Sequence, residues 1–362
     1  MRREPDRIKR RVMTLTVLRF ISAFPSHPSF RGRADSAPAL RGVRYGMVTV
    51  VAWSLIGCDP SDPAGNSTGP RPRIAFIGAS LDDPLWPALK RGADRSADRL
   101  GLVDVEYAAP PIRSSDAQQT LILERIDAGA QGVCVQVVDP TALSPWLATL
   151  RTRGIRVVTM MHDVAPPNRV GHAGVDDEAV GRALARAVVE TVPERGRVMV
   201  LHAGRLDPVY GPRLRAYDAS MERFPRVHTQ ARFDCQADPV RAERIVAERL
   251  TRFRPDAWVA VGPWPLDAMR ADRIDLPNGC TVIACGAFPA YWSLLREGRC
   301  AALIGAEDYR TIGQEALTIC IAAILNEQHK TQTYLAPARI IRAADLDTYR
   351  QTWPAVPTSQ PR

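Results

Sequence analysis

From residue 73 onward the chain alternates short continuous apolar runs with longer stretches of helical period. The runs are RIAFIG (73–78), VDVEYA (103–108), GVCVQVV (132–138), RVVTMM (156–161), RVMVLHAG (197–204), WVAVG (258–262), TVIACG (281–286) and AALIGA (301–306). Most are rich in Val, Ile or Ala and do not alternate with polar residues, the pattern of parallel strands covered on both faces. Between them, 84–100 places Leu85, Leu89, Ala93, Ala97 and Leu100 on one helical stripe, with Gly101 as the stop. Stretches 177–192, 238–253 and 311–326 carry similar stripes, the first with acidic residues in its opening turn and the second behind an Asp-Pro start. Repeated β-α order predicts an α/β, doubly wound architecture. A body of this length predicts two Rossmann-like lobes.

The patterning before residue 73 differs. Met47 to Gly57 reads MVTVVAWSLIG, an apolar run too short to span a membrane but suited to a signal-peptide core. Arg41 and Arg44 precede it, and Leu55-Ile56-Gly57-Cys58 closes it. That quartet resembles the bacterial lipobox, in which Cys58 would receive the lipid. Residues 58–72 are rich in Pro, Gly and Ser and predict a flexible tether. The plainer reading of 47–57 is a short buried strand, which the flanking charges and prolines oppose. Residues 1–40 carry Pro5, Pro25, Pro28 and Pro38 and exceed an ordinary leader, so the expected start lies downstream of Met1. Asp59, directly after the cysteine, resembles an inner-membrane retention signal.

Charge sharpens this division. The chain of 362 residues has a net charge of +9, but residues 1–57 hold eleven Lys/Arg against three Asp/Glu, a surplus of +8. Subtraction leaves about +1 for the rest, so the body lacks the basic surface that nucleic acid requires. No GxGxxG, P-loop, GxSxG, HExxH or CxxCH motif occurs, so neither a cofactor nor a catalytic constellation is predicted. No metal site is predicted either, because no CxxC occurs and the six His are scattered. Besides Cys58, Cys280 and Cys300 each stand before an apolar run. If those runs are adjacent parallel strands the two thiols sit side by side and can bridge; otherwise they are buried free thiols.

Six segments in order, over about 72–350, resemble the periplasmic sugar-binding proteins of ABC transporters, ribose-binding type. They are Ser80-Leu81-Asp82-Asp83-Pro84-Leu85-Trp86 followed by Lys90-Arg91-Gly92-Ala93; Val138-Asp139-Pro140-Thr141; Arg156-Val157-Val158-Thr159; and Gly171-His172-Ala173-Gly174-Val175-Asp176-Asp177, similar to that family's first crossover between lobes. Arg213 with Ala216-Tyr217, and Gly298-Arg299-Cys300-Ala301-Ala302-Leu303-Ile304 with Ile312-Gly313, complete the set. The resemblance implies the type I periplasmic binding protein fold. An N-terminal lobe of 73–174 plus 308–333 and a C-terminal lobe of 175–307 plus 334–352 would be joined by a hinge, with 353–362 as a tail.

It also implies a ligand held between the lobes at the C-terminal strand ends. On this resemblance the ligand-facing residues are Asp83, Leu85, Trp86, Asp139, His162, Arg213, Trp264, Phe288 and Glu307, with Asp163 an alternative to His162. Each has a plainer reading: Asp83, Glu307 and Asp308 as helix caps, Trp86 and Trp264 as packed aromatics, Arg213 as a solvated helix residue, and His162 as a strand-end histidine. Three positions depart from the family pattern. Pro263-Trp264 replaces an Asn-Asp pair, Gly286-Ala287-Phe288 replaces a Gly-Phe-Asp segment, and Glu307 stands where a Gln often closes the site. The implied ligand is therefore a carbohydrate-like or modified-sugar molecule. The implied role is an extracytoplasmic, lipid-anchored, non-enzymatic solute receptor serving an ABC permease. The alternative is a lipoprotein of the same fold that senses ligand for a membrane receptor or kinase. A transcription regulator would need a helix-turn-helix before Arg73, where prolines and the tether stand instead.

Overall fold

A computed structural model describes residues 70–326 and 330–354. The leader, Cys58 and most of the tether lie outside the described residues.

The first sheet is built from β1 (Arg73–Ile77), β2 (Asp104–Ala108), β3 (Ala130–Gln136), β4 (Arg156–Met161), β5 (Gly171–Val175) and β11 (Gln332–Ala336). Its order is β2-β1-β3-β4-β5-β11, and every pairing is parallel. The second contains β6 (Arg197–His202), β7 (His228–Asp234), β8 (Ala257–Ala260), β9 (Thr281–Cys285), β10 (Cys300–Ala306) and β12 (Ala338–Ile341). Its order is β7-β6-β8-β9-β10-β12, parallel except for the final antiparallel pair. This is the expected α/β architecture of two doubly wound lobes, and it matches the type I periplasmic binding protein fold.

The chain crosses between the sheets three times: after β5, after β10, and between β11 and β12. The three crossings are bonded to one another. Asp176 donates its backbone N–H to Ala336 at 3.2 Å, and Glu307 donates its own to Pro337 at 2.8 Å. Strands β5, β11, β10 and β12 are therefore the hinge side, and β2 and β7 are the far edges. Residues 353–354, placed in a tail by the sequence, belong to the body. Trp353 is buried against Trp292, Tyr309 and Tyr349, and Tyr349 donates its hydroxyl to the Ala306 carbonyl at the β10 crossing.

The connecting helices are α1 (Trp86–Leu100), α2 (Ser115–Asp127), α3 (Pro140–Thr152), α4 (Asp177–Thr191), α5 (Gly211–Met221), α6 (Pro239–Phe253), α7 (Leu266–Arg270), α8 (Trp292–Arg296), α9 (Tyr309–Leu325) and α10 (Leu346–Arg350). Helices α2 and α3 escape the sequence pattern for local reasons. The buried face of α2 is Gln118, Ile122 and Ile126, so a polar residue interrupts its stripe, and α3 carries Pro145 in its interior. Strand β5, absent from the apolar runs of the sequence pattern, is Gly-His-Ala-Gly-Val; burial of all five residues overrides its poor strand propensity.

The Cys280–Cys300 bridge does not form; both thiols are free. Strands β9 and β10 are adjacent and parallel, but the register pairs Cys300 with Val282, two residues past Cys280. The Cys300 thiol instead donates to the Val282 and Ala302 carbonyls at 3.2 and 3.3 Å.

Helices α1 and α9 lie on one face of the first sheet and approach to backbone contact. A Cβ on Gly92 would lie 1.8 Å from the Arg310 carbonyl oxygen, and one on Gly313 would lie 1.9 Å from that of Leu89. Neither obstacle is a side chain that can swing aside. Gly313→Ala is expected to lower stability by about 1–3 kcal/mol through forced helix separation. Denaturant unfolding read by circular dichroism checks this; an unchanged midpoint would contradict the contact.

Candidate functional site

Parallel strands deliver their following loops to one edge of each sheet, and ligand crevices form there. In this protein the ends of β3 and β5 and the loops after β1, β2, β4, β6, β7, β8, β9 and β10 enclose a cavity of about 380 Å³ between the two sheets. A second hollow of similar volume, lined by Val189, Phe224, Arg226 and neighbours, lies on the surface of the second lobe. It draws on one lobe alone, beside the N-terminal ends of β6 and β7, whereas the interlobe cavity lies at the C-terminal strand ends and is the candidate site.

The wall from the first lobe is organised by Asp83, whose side chain is only 6% exposed. Its Oδ1 accepts from the Leu85 backbone N–H at 2.9 Å and from Gln136 Nε2 at 3.1 Å, while Oδ2 accepts from Arg113 Nη1 at 2.9 Å. Gln136 is itself fixed, because its Oε1 accepts from the Ala79 N–H at 3.1 Å. Gln118 then donates to the carbonyls of Gly78 and Gln136 at 2.9 and 2.7 Å. This polar lattice satisfies the ends of β1 and β3 and sets Leu85 and Arg113 in the wall.

Strand β4 ends in a sharp bend. Met161 sits at φ 65°, in the left-handed region that non-glycine residues seldom occupy, and the His162 N–H returns to the Met160 carbonyl at 2.8 Å. Both side chains join the wall. His162 is pushed down to about 3, first by burial and then by the positive charges of Arg213 and Arg113, with His172 adding to them. Asp163 is turned away. It holds Arg169 through two bonds of 2.5 Å and receives the Thr159 hydroxyl at 3.0 Å.

From the second lobe, Arg213 stands on α5, which packs on α4 at Gly181. A Cβ there would lie 2.2 Å from the Arg213 carbonyl oxygen. The approach brings Arg213 Nε within 2.6 Å of Asp177 Oδ1. Burial opposes the guanidinium's charge, but the Asp177 carboxylate, with Cys285 and Tyr210 adding to it, more than offsets this and the pKa rises overall. Tyr210 stacks edge-on against Trp264 at 4.8 Å between ring centroids, with Arg213 over the Tyr210 ring at 5.3 Å. Trp264 and Phe288 supply aromatic surface, and Tyr309 closes the hinge side.

Six of the nine residues singled out in the sequence therefore meet in one wall: Asp83, Leu85, His162, Arg213, Trp264 and Phe288. Three do not. Trp86 packs back on Phe76 at 5.9 Å and against Gly78, so it belongs to the core side of α1. Asp139 is exposed and caps α3, accepting from Thr141 and Ala142 at 2.8 and 3.1 Å. Glu307 is exposed, and only its backbone takes part in the hinge. Sequence reasoning missed Arg113, Gln136, Met161 and Tyr210. Of these, Gln136 carried a signal, as the one polar side chain in the otherwise apolar run 132–138. Among the described residues, no cluster of three or more metal-ligating side chains occurs.

A group whose folded pKa lies below its unfolded value removes stability as it is forced to charge. For His162 this means stability declines as pH falls from about 6.5 towards 3, by at most about 1.4 kcal/mol per pH unit. The His162 ring resonances, assigned through His162→Gln, are expected to stay at their neutral shifts from pH 8 to 5. A midpoint near 6.5 would show an open, solvated imidazole.

Residues 74–328 match the family described as periplasmic binding protein domain. The ribose import binding protein RbsB of Haemophilus influenzae is 24% identical over 139 residues, which are 38% of this chain. The match spans 46% of that relative, about half its length. Among solved structures, an ABC transporter solute binding protein from Agrobacterium vitis, bound with α-D-tagatopyranose, superposes with a TM-score of 0.69 at 15% identity. That superposition covers 79% of this chain and all of the other. One from Burkholderia graminis, in complex with D-arabinose, gives 0.66 at 17% identity over 77% of this chain and 98% of its own. The two-lobed fold, the strand-end cavity and a match covering most of the chain agree: the protein belongs to the periplasmic binding protein domain family, with the type I architecture.

Proposed function

We propose that this protein is an extracytoplasmic solute receptor that captures a small carbohydrate-like ligand between its lobes and delivers it to an ABC permease. The observation that carries the reading is the convergence of both lobes on one cavity: Asp83, Arg113 and His162 from one side, Arg213 and Trp264 from the other, with three bonded crossings as the hinge. Such a cavity closes around its ligand when the lobes rotate about the crossings. The names of the relatives support the ligand class, since they describe ribose import, D-arabinose and tagatopyranose. Binding is the whole task in this reading. No side chain in the wall pairs a nucleophile with a base, and His162 is held neutral among cations.

Residues 59–362, screened by thermal unfolding against pentoses, hexoses, polyols, disaccharides, uronates and nucleosides at about 1 mM, are expected to give a rise of several degrees with at least one member. A micromolar ligand at that concentration contributes about 4 kcal/mol. The same ligand is expected to change tryptophan fluorescence in the parent and not in Trp264→Phe, while Trp86→Phe retains the change. A flat panel with folded protein would refute the carbohydrate reading.

In the same proposal Cys58 carries a lipid and residues 59–72 tether the lobes to the membrane. Support comes from the apolar run, the Leu-Ile-Gly-Cys quartet and the Pro/Gly/Ser-rich stretch that follows. The parent chain expressed in a bacterial host is expected to incorporate radiolabelled palmitate and sediment with membranes. Cys58→Ser is expected to do neither, and equal labelling of the variant would refute the assignment.

A further inference from the structure

We infer that the ligand of this cleft carries an acidic group, so that the molecule captured is a sugar acid or a sugar phosphate and not a neutral sugar. The inference rests on the proposal that the cleft is a carbohydrate site and narrows it.

The argument is an inventory of hydrogen-bonding capacity. A neutral sugar offers hydroxyls that donate as well as accept, so its site must present acceptors alongside donors. The wall of this cavity contains one carboxylate, Asp83. Its two oxygens already accept three hydrogen bonds from Leu85, Gln136 and Arg113, out of roughly four that a carboxylate takes. Gln136 Oε1 is committed to the Ala79 N–H. Asp177 stands outside the wall and is paired with Arg213. Glu307 points to solvent, and Asp163 is turned to Arg169. The acidic side chains near the cleft are thus either spent or absent from its surface.

The donors are in the opposite condition. Each guanidinium has five N–H groups. Among the described residues, the protein oxygen partners of Arg113 are limited to Asp83, through Nη1. Those of Arg213 are Asp177, through Nε, and the Val261 carbonyl at 3.5 Å, the outer limit of a hydrogen bond. One arginine comes from each lobe, so lobe closure brings both to a ligand lying between them. The potential they set up registers at His162, on which both act as unfavourable cations. A cavity with two arginines, unused donors and no free carboxylate is complementary to a carboxylate or phosphate, the oxyanions that guanidinium groups bind with charge-assisted bonds. The rest of the wall carries the His162 ring and the Tyr210 and Tyr309 side chains as uncharged polar groups, while Leu85, Trp264, Phe288 and Ile304 suit the C–H faces of a sugar ring.

The test is calorimetric titration of residues 59–362 with D-galacturonate against D-galactose, and with D-glucuronate and D-glucose 6-phosphate against D-glucose. At least one acid is expected to bind about 10-fold or more tightly than its neutral parent, with affinity falling as salt rises. Comparing uronates with the phosphate separates the two acid classes. Arg113→Gln, which keeps an N–H donor for Asp83, and Arg213→Gln are each expected to erase most of the preference. A folded Arg113→Gln that keeps the full preference would overturn the assignment. So would a neutral parent that binds as tightly as its acid, although the solute-receptor reading would then stand. If no acid or neutral sugar binds, here or in the wider thermal screen, the carbohydrate reading falls and this inference with it.

Discussion

The Asp83 carboxylate accepts three hydrogen bonds where almost no water reaches it, and the geometry of the first-lobe wall follows from that. An ionised group buried to this extent is tolerable only when its oxygens are satisfied. Satisfying them ties together the loop after β1, the end of β3 and the loop after β2, which are distant in sequence. Gln136 and Gln118 extend the same lattice to the carbonyls at the strand ends. Arg113 is positioned as a partner of Asp83 and is then available to whatever enters the cavity. The residue that makes this wall rigid is thus the residue that uses up its acceptors, and the chemistry left over is cationic.

The second wall reaches a similar end by a different route. Asp177 opens α4 and Arg213 lies on α5. The two helices can bring them to 2.6 Å because Gly181 lets the backbones touch. The carboxylate again sits behind the guanidinium and fixes its orientation. Both lobes therefore present an arginine braced by an aspartate, one on each side of the cavity. Closure of the hinge, whose crossings are bonded at Asp176 and Glu307, brings the two braced cations together. Their mutual repulsion disfavours closure of the empty cleft and is relieved by an anion between them. In the proposed receptor role, this would couple closing to occupancy.

Much of this was legible in the sequence, and the boundary of what was legible has physical causes. Strands such as VVTM and VMVL declare themselves because parallel strands are buried on both faces, and helices α1, α4, α6 and α9 because one stripe of each is buried. Strand β5 and helix α5 did not, since glycine, histidine and proline there serve close packing and turn geometry at the expense of propensity. For the cavity, the family resemblance, at positions that follow strands, pointed to Asp83, His162, Trp264 and Phe288. The direction of a side chain at a helix start is a different matter. Trp86 follows Leu85 immediately, yet one faces Phe76 and the other the cavity. Asp139 and Asp83 both precede a proline after a strand, but Asp139 closes on its own helix, whereas Asp83 is captured by Gln136 from a neighbouring strand. Arg113 had no local signal at all; only the fold brings it thirty residues back to Asp83.

The same contrast explains why the site departs from the sugar-binding pattern that the sequence otherwise resembles. Where that pattern supplies carboxylates and amides, this chain places Trp264 and Phe288, which contribute surface and no acceptor. Presenting two arginines with few acceptors would leave the cations short of partners in a closed cleft, at a cost in stability. The braces at Asp83 and Asp177 offset that cost in the empty protein. Each occupies only part of a guanidinium, so the remaining N–H groups stay desolvated on closure unless the ligand supplies oxygens. A neutral ring offers hydroxyl oxygens to those donors but finds few free acceptors for its own O–H groups, whereas an oxyanion only accepts. Selectivity in this cleft is then set less by shape than by which ligand lets the closed state form without unpaired donors.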